Sequence, residues 1–569
     1  MKKLSTFLLT ALMLMGTANI YASSYTDSNG LVYDISGTQA IITGYTGSGG
    51  AITIPEHPGG SSYANCDVVE IQANAFANKT TITSVTINDP RLRNIGQNAF
   101  SGCSNLQSLT MDDCYYAMFI RESAFANCPK LQTVTFNHGI GYIKASVFAY
   151  CSSLYSLTID DVYEIDPSAF TGCTGMKTIT YKNGVKVKTP SAYPTSDVST
   201  TPFYQVRRYV ENLFVNTQEV QDYLFQQMTN LSKVEIGSMV EKIGKYAFDG
   251  CSKLTTFSHS EAAKLESIDD CAFRNCPITN SLTFKANETP RFRSVGANTF
   301  YGYKGTHVYL NCSWPGESLT IGDNAFANAS ELSYVDISGD VSSISASAFS
   351  NCPNITGVNM NLTNNWYQAY TSTGAPFAYK SNLNLVRMSG PFIVPDYFFA
   401  GSGVKEAIIE ANGGIWPNTF YNCQSLSAVT WDAVLPMTFN TTPFGLSPIT
   451  SLTIGERVTN LPEHLFSGCS SLNTIESKAV NPPTIDQSTF SGCNYGNLSG
   501  INLTVPAGSE NLYRRAKVWC EFYDVCDGTE DIEEVQGDDD QSSNKVLLDG
   551  VIYIQRDGKL YNLQGAQVQ

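Results

Sequence analysis

The side chains best suited to catalysis are few in this chain and lie far apart. Its 569 residues contain only five histidines, which are scattered without a metal-binding spacing. The carboxylate pairs Asp112–Asp113 and Asp160–Asp161 directly follow alternating apolar segments, where a polar turn is expected rather than an acid–base pair. The Gly-rich stretch 44–50 lacks the lysine of a phosphate-binding loop. These patterns predict no enzyme activity, no cofactor and no metal site.

Cysteine is the most frequent reactive residue, with sixteen copies, of which ten stand three positions after a phenylalanine. Cysteines on neighbouring copies of one phrase point the same way, whereas a disulfide requires Cβ atoms that face each other. We therefore expect small buried thiols rather than disulfides. The ten are Cys103, Cys128, Cys151, Cys173, Cys251, Cys276, Cys352, Cys423, Cys469 and Cys493.

Two of the other six cysteines, Cys520 and Cys526, are close in sequence and lie outside the repeated phrases. Because an exported chain can form disulfides, these two are predicted to pair.

The phrase that contains the ten cysteines has the form Ala-Phe-x-x-Cys-x-x-Leu and recurs about every 24 residues. A period in this range predicts a solenoid of stacked coils. The phenylalanines that mark the copies are Phe76, Phe100, Phe125, Phe148, Phe170, Phe203, Phe225, Phe248, Phe273, Phe300, Phe326, Phe349, Phe377, Phe399, Phe420, Phe444, Phe466 and Phe490. We call these eighteen residues the Phe anchors.

Each repeat also contains a short segment of alternating apolar residues, as in Leu106-x-x-Leu109-x-Met111. This period of two predicts a strand, and stacked copies would pair in parallel about 4.8 Å apart. Ser, Asn or Asp often precedes the Ala-Phe pair, as at Ser123 and Asn324. Such residues are typical of helix N-caps, so one short helical turn is expected in each repeat.

The full phrase, Ile-x-x-x-Ala-Phe-x-x-Cys-x-x-Leu-x-x-Leu-x-Ile, resembles the BspA-like bacterial branch of the leucine-rich repeat superfamily over residues 66–505. The resemblance implies a curved leucine-rich repeat solenoid, mostly β, with a parallel sheet on one face, short helical turns and about eighteen repeats of roughly 24 residues. It also implies adhesion to proteins of a host or a neighbouring cell. It transfers no particular ligand, because function depends on surface residues rather than on the fold.

The flanking segments predict an exported protein. Residues 1–22 have the two lysines, the apolar run and the small residue Ala22 of a signal peptide. No later stretch is long and apolar enough to span a membrane. The predicted units that follow are an N-terminal β cap at 23–65, the solenoid at 66–505, a C-terminal cap at 506–526, an acidic linker at 527–544 and a small β module at 545–569.

The β module is similar to the end of the C-terminal sorting domains of secreted Bacteroidetes proteins. That similarity implies a location in the medium or on the outer cell surface. The alternative is a terminal β module without a sorting role.

The charge balance excludes some partners. The chain has a net charge of -16, with 35 lysines and arginines against 51 aspartates and glutamates. Nucleic acid and anionic lipid both require clustered positive charge, so neither is an expected partner.

The residues left free by the repeat are the candidate binding surface. Outward strand positions are expected at Ser108, Thr110, Thr133, Thr135, Ser156, Thr158, Thr178, Thr180, Lys233, Glu235, Tyr334 and Asp336. Two long interruptions add Tyr193, within 182–202, and Trp366 and Tyr367, within 361–373. These aromatic residues are either binding anchors or parts of a surface loop and a plug.

Recognition of an extracellular protein or glycan is therefore the predicted function, with adhesion as its form. The first alternative is a structural surface protein without a specific ligand. The second is a glycan-binding accessory protein of a polysaccharide-uptake system.

Overall fold

The computed structural model describes residues 23–59, 61–113, 118–137, 140–160, 162–182, 198–260, 264–285, 288–434, 442–444, 447–523, 544–548, 551–556, 559–561 and 567. The predicted signal peptide, residues 527–543 of the predicted linker, Tyr193 and Cys526 lie outside these residues.

The alternating apolar segments form strands that pair in parallel from coil to coil, as predicted. They make a nine-stranded and a ten-stranded sheet, which we call the first and second long-strand sheets. The first contains Gly50–Ile54, Ile82–Asn88, Ser108–Asp112, Thr133–Phe136, Ser156–Asp160, Thr178–Lys182, Asn212–Asn216, Lys233–Ile236 and Thr256–His259. The second contains Leu282–Phe284, His307–Cys312, Tyr334–Gly339, Gly357–Leu362, Leu385–Gly390, Glu406–Ala411, Ala428–Trp431, Ser451–Ile454, Thr474–Ser477 and Asn502–Thr504.

A second set of strands, which the repeat pattern did not predict, consists of the N-terminal strands and of short strands at the Ile position before several of the Ala-Phe pairs. These strands form an eight-stranded and a six-stranded sheet, the first and second short-strand sheets. The first contains Ser23–Thr26, Leu31–Ser36, Gln39–Tyr45, Asp67–Ile71, Asn94–Ile95, Met118–Ile120, Ile140–Ile143 and Val162–Ile165. The second contains Glu219–Val220, Lys242–Ile243, Ser267–Ile268, Ser294–Val295, Leu319–Ile321 and Val341–Ile344.

The Ala-Phe corners differ from the prediction of one short helical turn per repeat, which is wrong for most coils. Ser123 and Asn324, the expected N-caps, have left-handed backbone angles with φ of 57° and 53°. A left-handed residue cannot continue a right-handed helix. Instead, the corners hydrogen-bond to the next coil, as in the bond from the Phe100 amide to the Ala124 carbonyl at 2.7 Å. Asn is well suited to such positions because it tolerates positive φ.

Helical structure among the described residues is therefore sparse. One α-helix spans Glu510–Arg515. The 3₁₀ turns are Ser61–Tyr63, Val198–Thr200, Tyr204–Val206, Cys493–Gly496, Leu498–Gly500 and Trp519–Tyr523.

The eighteen Phe anchors form one continuous aromatic stack along the solenoid, which confirms the predicted repeat. Neighbouring rings are nearly parallel, as for Phe76 and Phe100, whose centroids lie 4.5 Å apart at 8°. The stack remains continuous across the longest interval, where Phe170 and Phe203 are 6.3 Å apart. Each anchor between the two ends of the stack is thus buried by the same residue type above and below, and burial of a Phe side chain stabilises by roughly 1.5–3 kcal/mol.

The ten cysteines beside the stack are free and buried, as predicted. Each thiol also donates a hydrogen bond to the carbonyl oxygen of a Phe anchor in the preceding coil. In the bond from Cys173 to Phe148, for example, Sγ and the oxygen are 3.1 Å apart. The same bond recurs at Cys103, Cys128, Cys151, Cys251, Cys276, Cys352, Cys423, Cys469 and Cys493. Cysteine at this position therefore satisfies a buried backbone acceptor as well as filling space.

Both ends of the stack are covered. At the N-terminal end, Tyr45 packs on Phe76 with ring centroids 5.5 Å apart. Tyr45 ends the strand Gln39–Tyr45, which pairs antiparallel with Leu31–Ser36. Leu31–Ser36 in turn pairs antiparallel with Ser23–Thr26. At the C-terminal end, Trp519 and Phe522 meet Phe490 edge-on at 5.8 and 5.5 Å. These contacts keep the last Phe rings of the stack away from water.

The C-terminal residues include a separate antiparallel sheet of three strands, Asn544–Leu548, Val551–Arg556 and Lys559–Tyr561. The predicted β module at 545–569 and its role in sorting stay predictions.

Candidate recognition surface

Eight of the predicted outward residues form two straight columns on the first long-strand sheet. The strand register places Ser108, Thr133, Ser156 and Thr178 opposite one another. It does the same for the second column, which contains Thr110, Thr135, Thr158 and Thr180. We call these eight residues the hydroxyl ladder. The ladder arises because side chains alternate between the two faces of a strand and equivalent coils stack in register.

The ladder ends where Phe214 follows Thr180 in the second column and Glu235 follows Phe214. Lys233 and Glu235, also predicted as outward residues, form an ion pair with each other at 3.1 Å. Both side chains are more than 40% exposed, so this pair contributes little to stability. In these two columns, aromatic and charged side chains therefore first appear at the seventh and eighth strands.

The two long-strand sheets are separated between His259 and Leu282, and side chains bridge the gap. Asn280 accepts a hydrogen bond from the Phe257 amide at 3.0 Å and donates one to the Phe257 carbonyl at 2.7 Å. The Nε2 atom of His259 lies 2.6 Å from the Thr283 carbonyl oxygen. A cavity of about 180 Å³ opens at this gap, with His259 and Glu288 among its lining residues.

Just beyond the gap, three aromatic side chains meet on the outer face of the second long-strand sheet. The rings of His307 and Tyr309 are nearly parallel, at 8°, with centroids 6.1 Å apart. The ring of Tyr334 is 5.9 Å from His307 and 6.1 Å from Tyr309, inclined to them at 47° and 52°. All three side chains are partly exposed. We call His307, Tyr309 and Tyr334 the aromatic cluster.

Gly357 makes room for the Tyr334 ring. These two residues are opposite one another in neighbouring strands. A Cβ atom at position 357 would lie 2.9 Å from Cδ2 of Tyr334, closer than side-chain atoms normally approach. The absence of a side chain therefore lets the ring lean over the backbone of the next coil.

Planar polar side chains continue the surface beside the aromatic cluster. Asp336 accepts a hydrogen bond from the Asn359 amide group at 2.9 Å. Arg387, next in the same column, binds Glu410 with two hydrogen bonds of 3.0 and 2.9 Å. On the other side, the Lys285 ammonium lies 4.6 Å from the centre of the Tyr309 ring, a cation–π contact.

The electrostatics of the cluster raise the pKa of Tyr334. The largest cause is desolvation, followed by the negative charge of Asp336 and by Tyr309, while Arg387 acts in the opposite direction. The phenol therefore keeps its proton at neutral pH and can donate a hydrogen bond.

The interruption at 361–373 is largely a plug. Trp366 is only 3% exposed and packs on Phe392 and Phe398, so its predicted place on the binding surface is wrong. Its indole donates to the Ser342 carbonyl at 3.3 Å. A bulky apolar ring in an irregular segment covers the core here instead of facing a partner. Tyr367, in contrast, is 51% exposed and lies 5.6 Å from Trp416.

The predicted disulfide is only partly within the described residues. Cys520 takes part in a disulfide bond. Because Cys526 lies outside those residues, the pairing of the two stays a prediction.

Within the described residues we searched for a metal-binding group and for a membrane-spanning helix. No group of three or more His, Cys, Asp or Glu side chains within them could hold a metal ion. Nor does this part of the chain contain a helix with the length and apolar character required to cross a bilayer.

Sequence reasoning found part of the aromatic cluster and missed the rest. Tyr334 and Asp336 stand eight and ten residues after a Phe anchor, as do Gly357 and Asn359. Applying that offset to every anchor would have found Asn359 and Arg387. It fails for His307 and Tyr309, which stand seven and nine residues after Phe300, because this repeat is one residue shorter before its strand.

Most of the chain matches a family model described as a BspA type leucine-rich repeat region, in six copies. The matched residues are 69–199, 218–356, 262–384 and 392–506. No curated protein matches the chain.

Solved structures with a similar chain include three bacterial proteins. A leucine-rich repeat protein from T. pallidum is 24% identical, with a TM-score of 0.25, and the match covers 40% of this chain and 90% of that one. A leucine-rich cell surface protein from Faecalibacterium prausnitzii is 20% identical, with a TM-score of 0.25 and coverage of 80% and 94%. A leucine-rich repeat protein from Bacteroides ovatus is 16% identical, with a TM-score of 0.27 and coverage of 84% and 98%. TM-scores this low do not support an inference about function.

Proposed function

The chain belongs to the BspA-type leucine-rich repeat family, and from this premise we propose that it is a cell-surface recognition protein that adheres to proteins of a host or neighbouring cell. In this proposal it acts by binding rather than by catalysis. An N-terminal signal peptide exports it, and it functions in the medium or on the outer cell surface.

The observation that carries the proposal is the change in chemistry along the outward side of the two long-strand sheets. The hydroxyl ladder offers small polar groups only, whereas His307, Tyr309 and Tyr334 gather within two neighbouring coils. Stacking of identical coils does not require these outward residues, because the inward residues of the same strands are buried. Exposed tyrosine clusters with polar neighbours are typical of binding surfaces.

The length of the face supports adhesion through many contacts. Individual contacts of serine and threonine hydroxyls are weak, but a partner that spans several coils would sum them. A face of this kind needs no deep pocket, and its affinity depends on a few anchors such as Tyr334 within a wider polar area.

The experiment is a binding assay of the secreted protein on immobilised extracellular-matrix proteins. Tyr334→Arg places a charge in the aromatic cluster, and Thr158→Arg places one in the hydroxyl ladder. Ser342→Arg is the matched control, because Ser342 is exposed on a short-strand sheet. We expect binding by the wild type and the control, and loss of binding with Tyr334→Arg.

Two results would contradict the proposal. If all three variants bind equally, the contact with the partner does not lie on the long-strand sheets. Failure of the wild type to bind any matrix protein would favour the structural alternative.

A further inference from the structure

We propose that the aromatic cluster binds a sugar ring, so that the adhesion partner is recognised through a neutral glycan chain that it carries. This inference rests on the proposed function, because it names the chemistry that one part of the recognition surface takes. The observations that support it are ring geometry, unpaired polar groups and charge.

The ring geometry suits a pyranose. One face of such a ring carries only C–H groups and packs on the face of an aromatic side chain. Here two near-parallel rings, of His307 and Tyr309, lie beside a third, of Tyr334, inclined by about 50°. The Tyr334 ring packs closely over the backbone at Gly357, and this contact restricts its motion before a ligand arrives. A preorganised ring loses less conformational entropy on binding.

The polar groups suit sugar hydroxyls. Asp336 uses one carboxylate oxygen for Asn359, which leaves the other oxygen and the Asn359 carbonyl oxygen as acceptors. The Tyr309 and Tyr334 hydroxyls form no hydrogen bond with another described residue. Donors and acceptors therefore border the rings, and the Asp336–Asn359 bond holds its members in place.

The charges favour a neutral sugar over a polyanion. Arg387 is already neutralised by the two-bond contact with Glu410. Lys285 and Asp336 leave one positive and one negative group at the cluster, within a protein whose net charge is -16. A sulfated chain would be repelled by that overall field, whereas a neutral chain would not.

Further polar pairs continue along the third outward column of the same strands. Asn311 donates to Ser338 at 2.8 Å, and Ser389 donates to Asn361 at 3.0 Å. Ser338, Asn361 and Ser389 occupy consecutive coils in register. A glycan chain longer than one sugar would therefore meet hydrogen-bonding groups on the coils that follow Tyr334.

The test measures binding of free oligosaccharides by calorimetry. The probes are neutral hexose and N-acetylhexosamine oligosaccharides, with heparin as the sulfated comparison. Tyr309→Ala and Tyr334→Ala remove one ring each. Tyr223→Ala is the matched control, because it removes one ring of another stacked tyrosine pair, with Tyr246 at 4.9 Å. Thermal unfolding confirms that each variant is folded.

We expect a neutral oligosaccharide to bind the wild type and the control, and each cluster variant to lose about threefold to tenfold in affinity, the range of one aromatic contact. Binding of heparin alone, or equal affinity in all variants, would overturn the inference.

A parallel assay separates this inference from the proposed function. Matrix glycoproteins are tested before and after enzymatic removal of their glycans. If they bind equally in both forms and no free oligosaccharide binds, the glycan inference is wrong and protein adhesion stands. If neither glycoproteins nor oligosaccharides bind, both are wrong.

Discussion

The ammonium nitrogen of Lys380 lies 2.7 Å from the carbonyl oxygen of Phe349, in the position that a cysteine thiol occupies in ten other coils. Lys380 is 7% exposed. No carboxylate of the described residues forms an ion pair with it. Burial is the main cause that lowers the pKa of the ammonium, and the nearby Cys352 acts in the opposite direction. This coil therefore holds a buried cation where its neighbours hold a neutral donor.

Replacing Lys380 with methionine should stabilise the protein by about 1–3 kcal/mol at neutral pH, because it removes an uncompensated buried charge. The pKa of Lys380 is lower in the folded than in the unfolded chain, so the unfolded chain binds more protons between the two values. Wild-type stability thus rises with pH between the folded and the unfolded pKa of this ammonium. The advantage of Lys380→Met should be greatest below this pH range and shrink within it, as measured by urea unfolding at several pH values.

Lys380→Cys is the control for that experiment, because it restores the thiol donor of the other coils. It should also exceed the wild type in stability at neutral pH. A wild type more stable than both variants would show that the ammonium bond to Phe349 outweighs the desolvation of the charge.

The cysteines of the repeat should resist alkylation in the folded protein. Burial raises the pKa of Cys103 and Cys173 to about 12 and that of Cys352 to about 11. Since the thiolate is the nucleophile, iodoacetamide at about pH 8 should leave these residues unmodified until urea unfolds the chain. Peptide mass spectrometry gives the extent of modification at each residue. Rapid labelling of Cys173 in the native protein would contradict its burial.

Removing one ring from the Phe stack should destabilise the solenoid strongly. Phe248 is fully buried and lies 5.5 and 4.9 Å from Phe225 and Phe273. Phe248→Ala should cost about 3–5 kcal/mol, because it leaves a cavity between two rings. Thermal unfolding measures the change, and Phe248→Leu, which keeps more of the volume, should lose less. A loss in Phe248→Ala below that of Phe248→Leu would argue against the stack as a main source of stability.

Gly357→Ala should alter the aromatic cluster while leaving the fold intact. The added methyl group would clash with the Tyr334 ring. Because Gly357 lies in a strand, alanine brings no strain from a left-handed backbone there. We expect weaker ligand binding, by about as much as in Tyr334→Ala, and a Tm close to that of the wild type. Unchanged binding would mean that the leaning of Tyr334 over Gly357 is unimportant.

The predicted bond between Cys520 and Cys526 can be checked directly. Proteolysis without reduction should yield a linked peptide pair that separates on reduction, or one peptide with an internal bond whose mass increases by two hydrogen atoms on reduction. Detection of both residues as free thiols in the unreduced protein would show that this prediction is wrong.

The core of the fold was predictable because each repeat has the same pattern of apolar residues. Phe125, Cys128 and Leu131 are buried as their spacing indicates, and the same is true of their counterparts in other coils. The corners were not predictable as turns, since Ser123 and Asn324 suit both a helix N-cap and a left-handed turn. The hydrogen bonds between the corners of stacked coils favour the left-handed turn, and these bonds exist only in the tertiary structure.

The recognition surface was predictable in part. Regular repeats place Thr110, Thr135 and Tyr334 on the outer face, because alternation along a strand is a local property. From the sequence, Trp366 could either contact a partner as a binding anchor or pack into the core as a plug. Packing against Phe392 and Phe398, which follow it by more than 25 residues, places it in the core.

The sequence by itself thus determined the period, the inward residues and the parallel stacking. The reason is that equivalent apolar residues of successive repeats are buried when the repeats stack in register. Tertiary structure alone decided which outward residues meet. His307 and Tyr334 are 27 positions apart in the sequence, yet their rings are neighbours because the register of adjacent coils aligns their strands. Such contacts depend on how loops of unequal length bring neighbouring strands into register, and no local pattern of residues specifies that register.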